Sequence, residues 1–251
     1  MSAAIGIDIG GTGIKAALVD LEKGALTGDR HKVPTPDGGE PDAVVQAAVG
    51  LLAEIEGIDD SMPVGVCFPA VVQGGRTMSA ANVSDAWIGL EAEQLFEQAL
   101  GRDIHFVNDA DAAGVAEARY GAAKNVAGLV IMTTLGTGIG TALINNGTLV
   151  PNAELGHLEI DGVDWETVAS NSAREREGLS WGEWAERLQR FYTRLERYLS
   201  PERFVVGGGV SKHHDEFLPL LDLQTEIVPA AMRNNAGIIG AAALARHPKG
   251  R

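Results

Sequence analysis

Gly11-Thr12-Gly13-Ile14-Lys15-Ala16-Ala17-Leu18-Val19 returns half a chain later as Gly136-Thr137-Gly138-Ile139-Gly140-Thr141-Ala142-Leu143-Ile144, identical at six of nine positions across an offset of 125 in 251 residues. Each copy follows an apolar, β-rich run, Ile5 to Ile9 in the first and Leu129 to Thr134 in the second. Each continues as a second apolar run ending in a turn signal, Glu22-Lys23-Gly24 in one and Asn145-Asn146-Gly147 in the other. Asn-Gly after an apolar run marks a hairpin. Each half therefore reads as strand, Gly-Thr-Gly turn, returning strand, and the chain as two similar halves.

Working outward, Val44, Ala48, Leu51, Leu52 and Ile55 recur at helical spacing, and Leu95 and Ala99 lie on a second helix. Ala110 to Tyr120 is alanine-rich and closes at Gly121. Trp184, Leu188, Phe191, Leu195 and Tyr198 form a long stripe that Ser200-Pro201 ends. Strand-like runs stand at Val64–Phe68, Ile104–Val107 and Phe204–Val206. Strands interleaved with helices predict an α/β fold.

Composition narrows the function classes. Twenty basic residues against 34 acidic give a net charge of −14, which disfavours a nucleic-acid binder and obliges any polyanionic ligand to find local basic compensation. No apolar run is long enough to span a membrane, and Met1-Ser2-Ala3-Ala4 does not read as a secretory leader. The single cysteine, Cys67, precludes an internal disulfide and a multi-cysteine zinc site, which fits a reducing cytoplasm.

Five motifs carry candidate chemistry, and each has two readings. Gly11-Thr12-Gly13-Ile14-Lys15-Ala16 fits the dinucleotide pattern GxGxxA, but that fold needs a helix after the turn, whereas Ile14–Val19 reads as a returning strand. What survives is a glycine-rich turn whose amides approach phosphate, or a plain tight turn. Asp8 ends the first strand beside it, as a magnesium-associated carboxylate or as a partner of turn amides. Asn108-Asp109-Ala110-Asp111 stands where a strand hands over to a helix, which suits both a helix cap and a general base toward a hydroxyl. Glu154 and His157, three residues apart, suit either hydrogen bonds to a polyhydroxyl ligand or a structural pair. Gly207-Gly208-Gly209 after a strand allows backbone approach to a nucleotide, or close packing.

Taken in order, these motifs resemble the ROK group of sugar kinases within the actin-like ATPase (ribonuclease H-like) fold. Asp8-Ile9-Gly10-Gly11-Thr12 is similar to the first phosphate motif of that group, Leu135-Gly136-Thr137-Gly138 to the second, and Val206-Gly207-Gly208-Gly209-Val210 to the adenosine-side motif. The resemblance implies two similar α/β domains with an interdomain cleft: an N-terminal domain over 1–107, to which 236–251 returns, and a C-terminal domain over 108–235. It implies phosphoryl transfer to a hexose 6-hydroxyl with Asp109 as catalytic base. It further implies sugar contacts from Asn82, Asn108, Asp109, Glu154, His157 and Glu166, and phosphate contacts from Gly10, Gly11, Thr12, Gly13, Lys15, Gly136, Thr137 and Gly138. Gly207, Gly208 and Gly209 are expected at a nucleotide, and Asp8 at Mg²⁺ through water.

Two departures sharpen the expectation. Where many members carry a CxCGxxGC zinc cluster, this chain has Asp161-Gly162-Val163-Asp164-Trp165-Glu166, so no zinc is expected. No helix-turn-helix precedes the first phosphate strand, so DNA binding is unsupported. The zinc-free pattern, with Ser84-Asp85-Ala86-Trp87, is most similar to the polyphosphate glucokinases. The expected partners are glucose, with mannose as a second acceptor, and polyphosphate or ATP; no nucleic acid and no membrane; and a second copy in a cytoplasmic homodimer. The competing readings are an ATP-only glucokinase, a non-catalytic hexose sensor, and an oxidoreductase resting on GxGxxA alone. Finally, Arg187, Arg190, Arg194 and Arg197, with Arg174 and Arg176 upstream, concentrate six of 20 basic residues along one stretch. They predict either a solvated face paired with Glu183, Glu186 and Glu196 or a track that guides polyphosphate.

Overall fold

The computed structural model describes residues 3–245, so the expected return of 246–251 to the first domain lies outside the described residues. The chain divides into two compact units. One comprises the described residues through Ala116 with those from Asn235 onward, and the other comprises Glu117–Asn234.

The first unit is built on a sheet. Strands β1 (Ala3–Gly10) and β2 (Gly13–Asp20) pair antiparallel from Ala3↔Asp20 to Gly10↔Gly13, leaving Gly11-Thr12 as the turn. Short strands β3 (Ala25–Leu26) and β4 (His31–Val33) both pair with β2. Helix α1 (Pro41–Ala53) starts with proline in its first turn, where no amide is missed, and buries Val44, Val45, Ala48, Leu51 and Leu52. Strand β5 (Val64–Phe68) runs parallel to β1 and is buried throughout. A small hairpin, β6 (Val72–Gln73) and β7 (Arg76–Thr77), precedes α2 (Ala92–Leu100), which a left-handed Gly101 closes. Strand β8 (Ile104–Asn108) pairs parallel with β5 and passes directly into α3 (Asp109–Tyr120). Phe68, Trp87, Phe96 and Phe106 form the aromatic centre, and the Trp87 indole N–H donates to the Gly39 carbonyl at 2.8 Å.

The second unit repeats the opening. Strands β9 (Leu129–Leu135) and β10 (Ile139–Asn145) form the same hairpin, and β11 (Thr148–Val150) follows across the predicted turn, with Asn146 and Gly147 at φ 49° and 76°. The two copies differ by one residue of register. β1 and β2 close at Gly10↔Gly13, but β9 and β10 close at Leu135↔Ile139, so the second turn holds three residues, Gly136-Thr137-Gly138. Strands β12 (Glu159–Ile160) and β13 (Val163–Asp164) form a hairpin across Asp161-Gly162, the stretch that stands in place of a zinc cluster. Helices α4 (Glu166–Ala169), α5 (Asn171–Glu177) and α6 (Trp181–Leu199) follow. Then β14 (Arg203–Gly207) pairs parallel with β9, and after α7 (His214–Phe217) β15 (Glu226–Pro229) pairs parallel with β14.

Helix α6 corrects two details of its sequence reading. Trp184, Leu188, Phe191 and Leu195 are buried, but Tyr198 is 59% exposed and belongs to the surface. Tyr192 is buried in addition, its hydroxyl 2.7 Å from that of Thr133. Helix α8 (Ala236–Leu244) belongs to the first unit, where it lies so close to β1 and β5 that only glycine fits beneath it. A Cβ on Gly6 would sit 2.0 Å from the Ile238 carbonyl oxygen, and one on Gly65 1.9 Å from that of Ala241. Among the described residues no helix is long and apolar enough to cross a membrane.

Candidate active site

At the strand–helix junction of β8 and α3 the cap reading belongs to Asn108. Asn108 is the cap. Its side-chain oxygen accepts from the Asp111 amide at 3.0 Å, and its amide nitrogen donates to the Ala70 carbonyl at 3.0 Å. The remaining amide hydrogen and lone pair are what it could offer a ligand. Asp109 therefore is not needed as the cap and occupies the first helical position, half-buried, with one carboxylate oxygen 2.8 Å from the Ala110 amide.

Asp8 stands on β1 of the same unit, two residues before the close of the strand. Lys15 Nζ lies 2.8 Å from one carboxylate oxygen, and the thiol of Cys67 on β5 lies 3.6 Å from the other. Burial pushes the Cys67 thiol well up, and the Asp8 and Asp109 carboxylates push it the same way, so it remains a protonated donor to Asp8. Asn82, at φ 62°, packs on the first turn: a Cβ on Gly11 would sit 2.6 Å from its Cβ. This glycine is required by close approach, and its φ is not in the left-handed range.

In the second unit three of the predicted sugar contacts, Glu154, His157 and Glu166, come together. His157 ends a short 3-10 turn (Leu155–His157) that begins next to Glu154. Its Nδ1 lies 2.9 Å from an Asp164 carboxylate oxygen, and its Nε2 lies 4.0 Å from Glu166. The Asp164 hydrogen bond, reinforced by Glu166 and Glu154, raises the imidazole above its ordinary value despite some burial. Burial raises the Glu154 carboxyl as well, with Glu166 adding to the shift and His157 opposing it. Glu166 also reaches the second glycine turn. One of its oxygens accepts the Ile139 amide at 2.6 Å and would lie 2.4 Å from a Cβ on Gly138. Asp164 was not among the predicted site residues. The signal for it was its place in the Asp161–Glu166 stretch, where the β12–β13 hairpin now aims it at the imidazole.

The three glycines after β14 differ in their surroundings. Gly207 and Gly208 are there for packing: a Cβ on Gly207 would meet Met132 at 2.8 Å, and one on Gly208 the Leu135 carbonyl at 2.2 Å. Gly208 also sits at φ 83°, which side-chain-bearing residues rarely adopt. Gly209 faces open space. It shares a cleft of about 360 Å³ with Gly136, Thr137, Arg174 and Lys212. Within one unit, then, the second Gly-Thr-Gly turn and the end of the glycine run after β14 line a common, partly basic hollow.

Three of the four arginines of α6 form ion pairs with carboxylates, and none of those ion pairs is to Glu183, Glu186 or Glu196. Arg187 pairs with Glu177 at 2.6 Å and donates to the Val168 carbonyl at 2.7 Å. Arg190 and Arg194 both reach Asp161, and Arg190 lies over the Trp165 ring. Glu183 instead completes a capping box with Ser180, and Glu196 accepts the Thr225 amide.

The chain is similar to known proteins along most of its length. Residues 4–177 match the model of the ROK family. A polyphosphate glucokinase of Mycobacterium tuberculosis is 46% identical over 94% of this chain and 89% of its own length. The crystal structure of an inorganic polyphosphate/ATP-glucomannokinase from Arthrobacter sp. superposes with a TM-score of 0.94 at 54% identity, covering 97% of this chain and 98% of that one. A ROK family glucokinase from Streptomyces griseus, solved with glucose and AMPPNP, gives a TM-score of 0.83 at 26% identity, over 97% and 99% of the two chains. The chain thus has the actin-like ATPase fold of these sugar kinases and belongs to the ROK family.

Proposed function

We propose that this chain transfers the terminal phosphoryl group of inorganic polyphosphate to the 6-hydroxyl of glucose, with ATP as a second donor and mannose as a second acceptor. The observation that carries the reading is the division of labour at the β8–α3 junction: Asn108 caps the helix, and Asp109 is left at its first position as a carboxylate suited to take a proton. The near-full-length likeness to a polyphosphate glucokinase and to a polyphosphate/ATP-glucomannokinase supports this choice of donors and acceptors.

In this reading Asp109 accepts the hydroxyl proton as the O6–phosphorus bond forms. The bond from that phosphorus to the donor's bridging oxygen breaks, and the donor leaves one phosphate shorter. Such transfer depends mainly on positioning and charge stabilisation. Asn82, Asn108, Glu154, His157 and Glu166 orient the sugar. Gly10, Gly11, Thr12, Gly13 and Lys15, with Gly136, Thr137 and Gly138, hold donor phosphates. Gly209 gives a nucleotide its backbone approach, while Gly207 and Gly208 shape the strand end beneath.

Mg²⁺ fits the residues in one form only. Among the described residues no three His, Cys, Asp or Glu side chains could cage a metal ion. Magnesium carried on donor phosphates needs only one or two carboxylates and keeps its waters. Asp8, beside the first turn with its side chain 15% exposed, fits that need, and would hold the ion through water. When bound, the ion neutralises phosphate charge.

The test is a parallel assay of purified protein with glucose and either polyphosphate or ATP, reading glucose 6-phosphate. Product from polyphosphate supports the proposal; no product from either donor overturns it. Glucose binding without turnover would assign the chain as a sensor instead.

A further inference from the structure

The sheet of the first unit sets three charged residues in a row. Asp8 on β1 stands opposite Lys15 on β2, and Lys15 stands opposite Lys32 on β4. Residues directly opposite in antiparallel pairs share a face of the sheet, so the three side chains project together. Their charges are not matched. Lys15 has its carboxylate, Asp8, at 2.8 Å. Lys32 is exposed, and among the described residues its ammonium group takes part in no ion pair or side-chain hydrogen bond. Like charges directly opposite each other repel. The row therefore keeps an excess positive charge in a chain whose net charge is −14.

The place of that charge is fixed by the first glycine turn. The Lys32 stem lies over Gly13, its Cε 2.9 Å and its Nζ 3.7 Å from where a Cβ on that residue would stand. The β4 segment is tied to the same turn twice: by the Ile14↔Val33 pairing and by the Thr35 hydroxyl, which donates to the Gly10 carbonyl. An exposed lysine on a loose segment would carry no argument. This one sits on a registered strand, beside a turn that lacks a side chain where the lysine crosses it.

We propose that Lys32 contacts the phosphoryl donor, forming with Lys15 a side-chain anion site that takes oxygens of an inorganic polyphosphate chain next to the backbone turn. The inference rests on the phosphotransferase reading and deepens it. An ammonium group suits the task, because it is a compact charge with three rotatable donors and engages phosphate oxygens without a fixed orientation. Three of the four α6 arginines are less suited, since Arg187, Arg190 and Arg194 already face carboxylates.

The experiment compares wild type, Lys32→Gln and Lys32→Arg as full chains. It combines steady-state kinetics with polyphosphate and glucose and calorimetric titration with inorganic tripolyphosphate at two salt concentrations. Loss of one charge-assisted contact should raise the polyphosphate KM of Lys32→Gln about tenfold. Tripolyphosphate binding should weaken in parallel and become less salt-dependent, the glucose KM should move less than twofold, and Lys32→Arg should retain most of the affinity. A Lys32→Gln protein with wild-type donor KM and tripolyphosphate affinity, or one whose glucose KM rises equally, overturns the proposal. If wild type itself makes no glucose 6-phosphate, the phosphotransferase reading fails separately, and the titration still decides whether Lys32 binds phosphate.

Discussion

Asp109 is a half-buried carboxylate at the first position of a helix whose cap is another residue. Asp109→Asn keeps the shape and the amide contact but cannot accept a proton, so turnover should fall by about 10²–10⁴-fold while glucose binding stays measurable by calorimetry. Turnover within threefold of wild type would remove Asp109 from the base role. His157 makes a second residue-scale prediction. Asp164 holds its proton beyond the ordinary imidazole value of 6.5. A raised folded-state value means that the bond contributes in full below pH 6.5 and is lost as pH rises through the raised value. Asp164→Asn should shift the His157 titration, followed by NMR, back down toward 6.5. An unchanged midpoint would mean that Glu166 and Glu154 sustain the shift without Asp164.

At the scale of elements, the fold was legible because its repeat is local. Strand, glycine turn and returning strand leave a trace within nine residues, and both hairpins stand where the self-match puts them. The register difference was not legible, since Gly-Thr-Gly permits closure at Gly10↔Gly13 in one copy and at Leu135↔Ile139 in the other. Tyr198 continued the helical stripe in sequence, yet α6 ends one residue later and its last turn leaves that ring outside. Asp164 was invisible as a site residue because its role depends on a hairpin folding it back seven residues onto His157. The glycines after β14 show the same limit, as three identical letters stand in different surroundings. Gly208→Ala should destabilise the protein by about 1–3 kcal/mol, because it forces a side chain into a left-handed, occupied position. Gly209→Ala meets no atom within 4 Å, so it should melt like wild type and act on the ATP KM instead. Thermal denaturation of the two variants side by side checks the assignment, and equal melting would void it.

For the whole molecule the question is how a chain of net charge −14 admits a polyanion. Six arginines clustered between 174 and 197 read either as a solvated, paired face or as a guiding track, and their spacing alone does not say which acids they meet. Arg187 ties α6 to Glu177 and to the Val168 carbonyl, and Arg190 and Arg194 share Asp161. Those contacts spend the charge on holding α6 to the hairpin and helices before it. Exposed pairs of this kind are worth little singly, at about 0–1 kcal/mol, but Arg187 also satisfies a backbone carbonyl. Replacing Arg187, Arg190 and Arg194 together with Gln should therefore lower the melting temperature by a few degrees and leave the polyphosphate KM within about twofold. The wild-type polyphosphate KM should still rise with salt more steeply than the ATP KM, because exposed charges are screened beyond about 10 Å at 0.1 M. That salt response should survive in the triple arginine variant and shrink in Lys32→Gln. A polyphosphate KM that rises severalfold in the triple variant, with the ATP KM unmoved, would return the guiding role to α6.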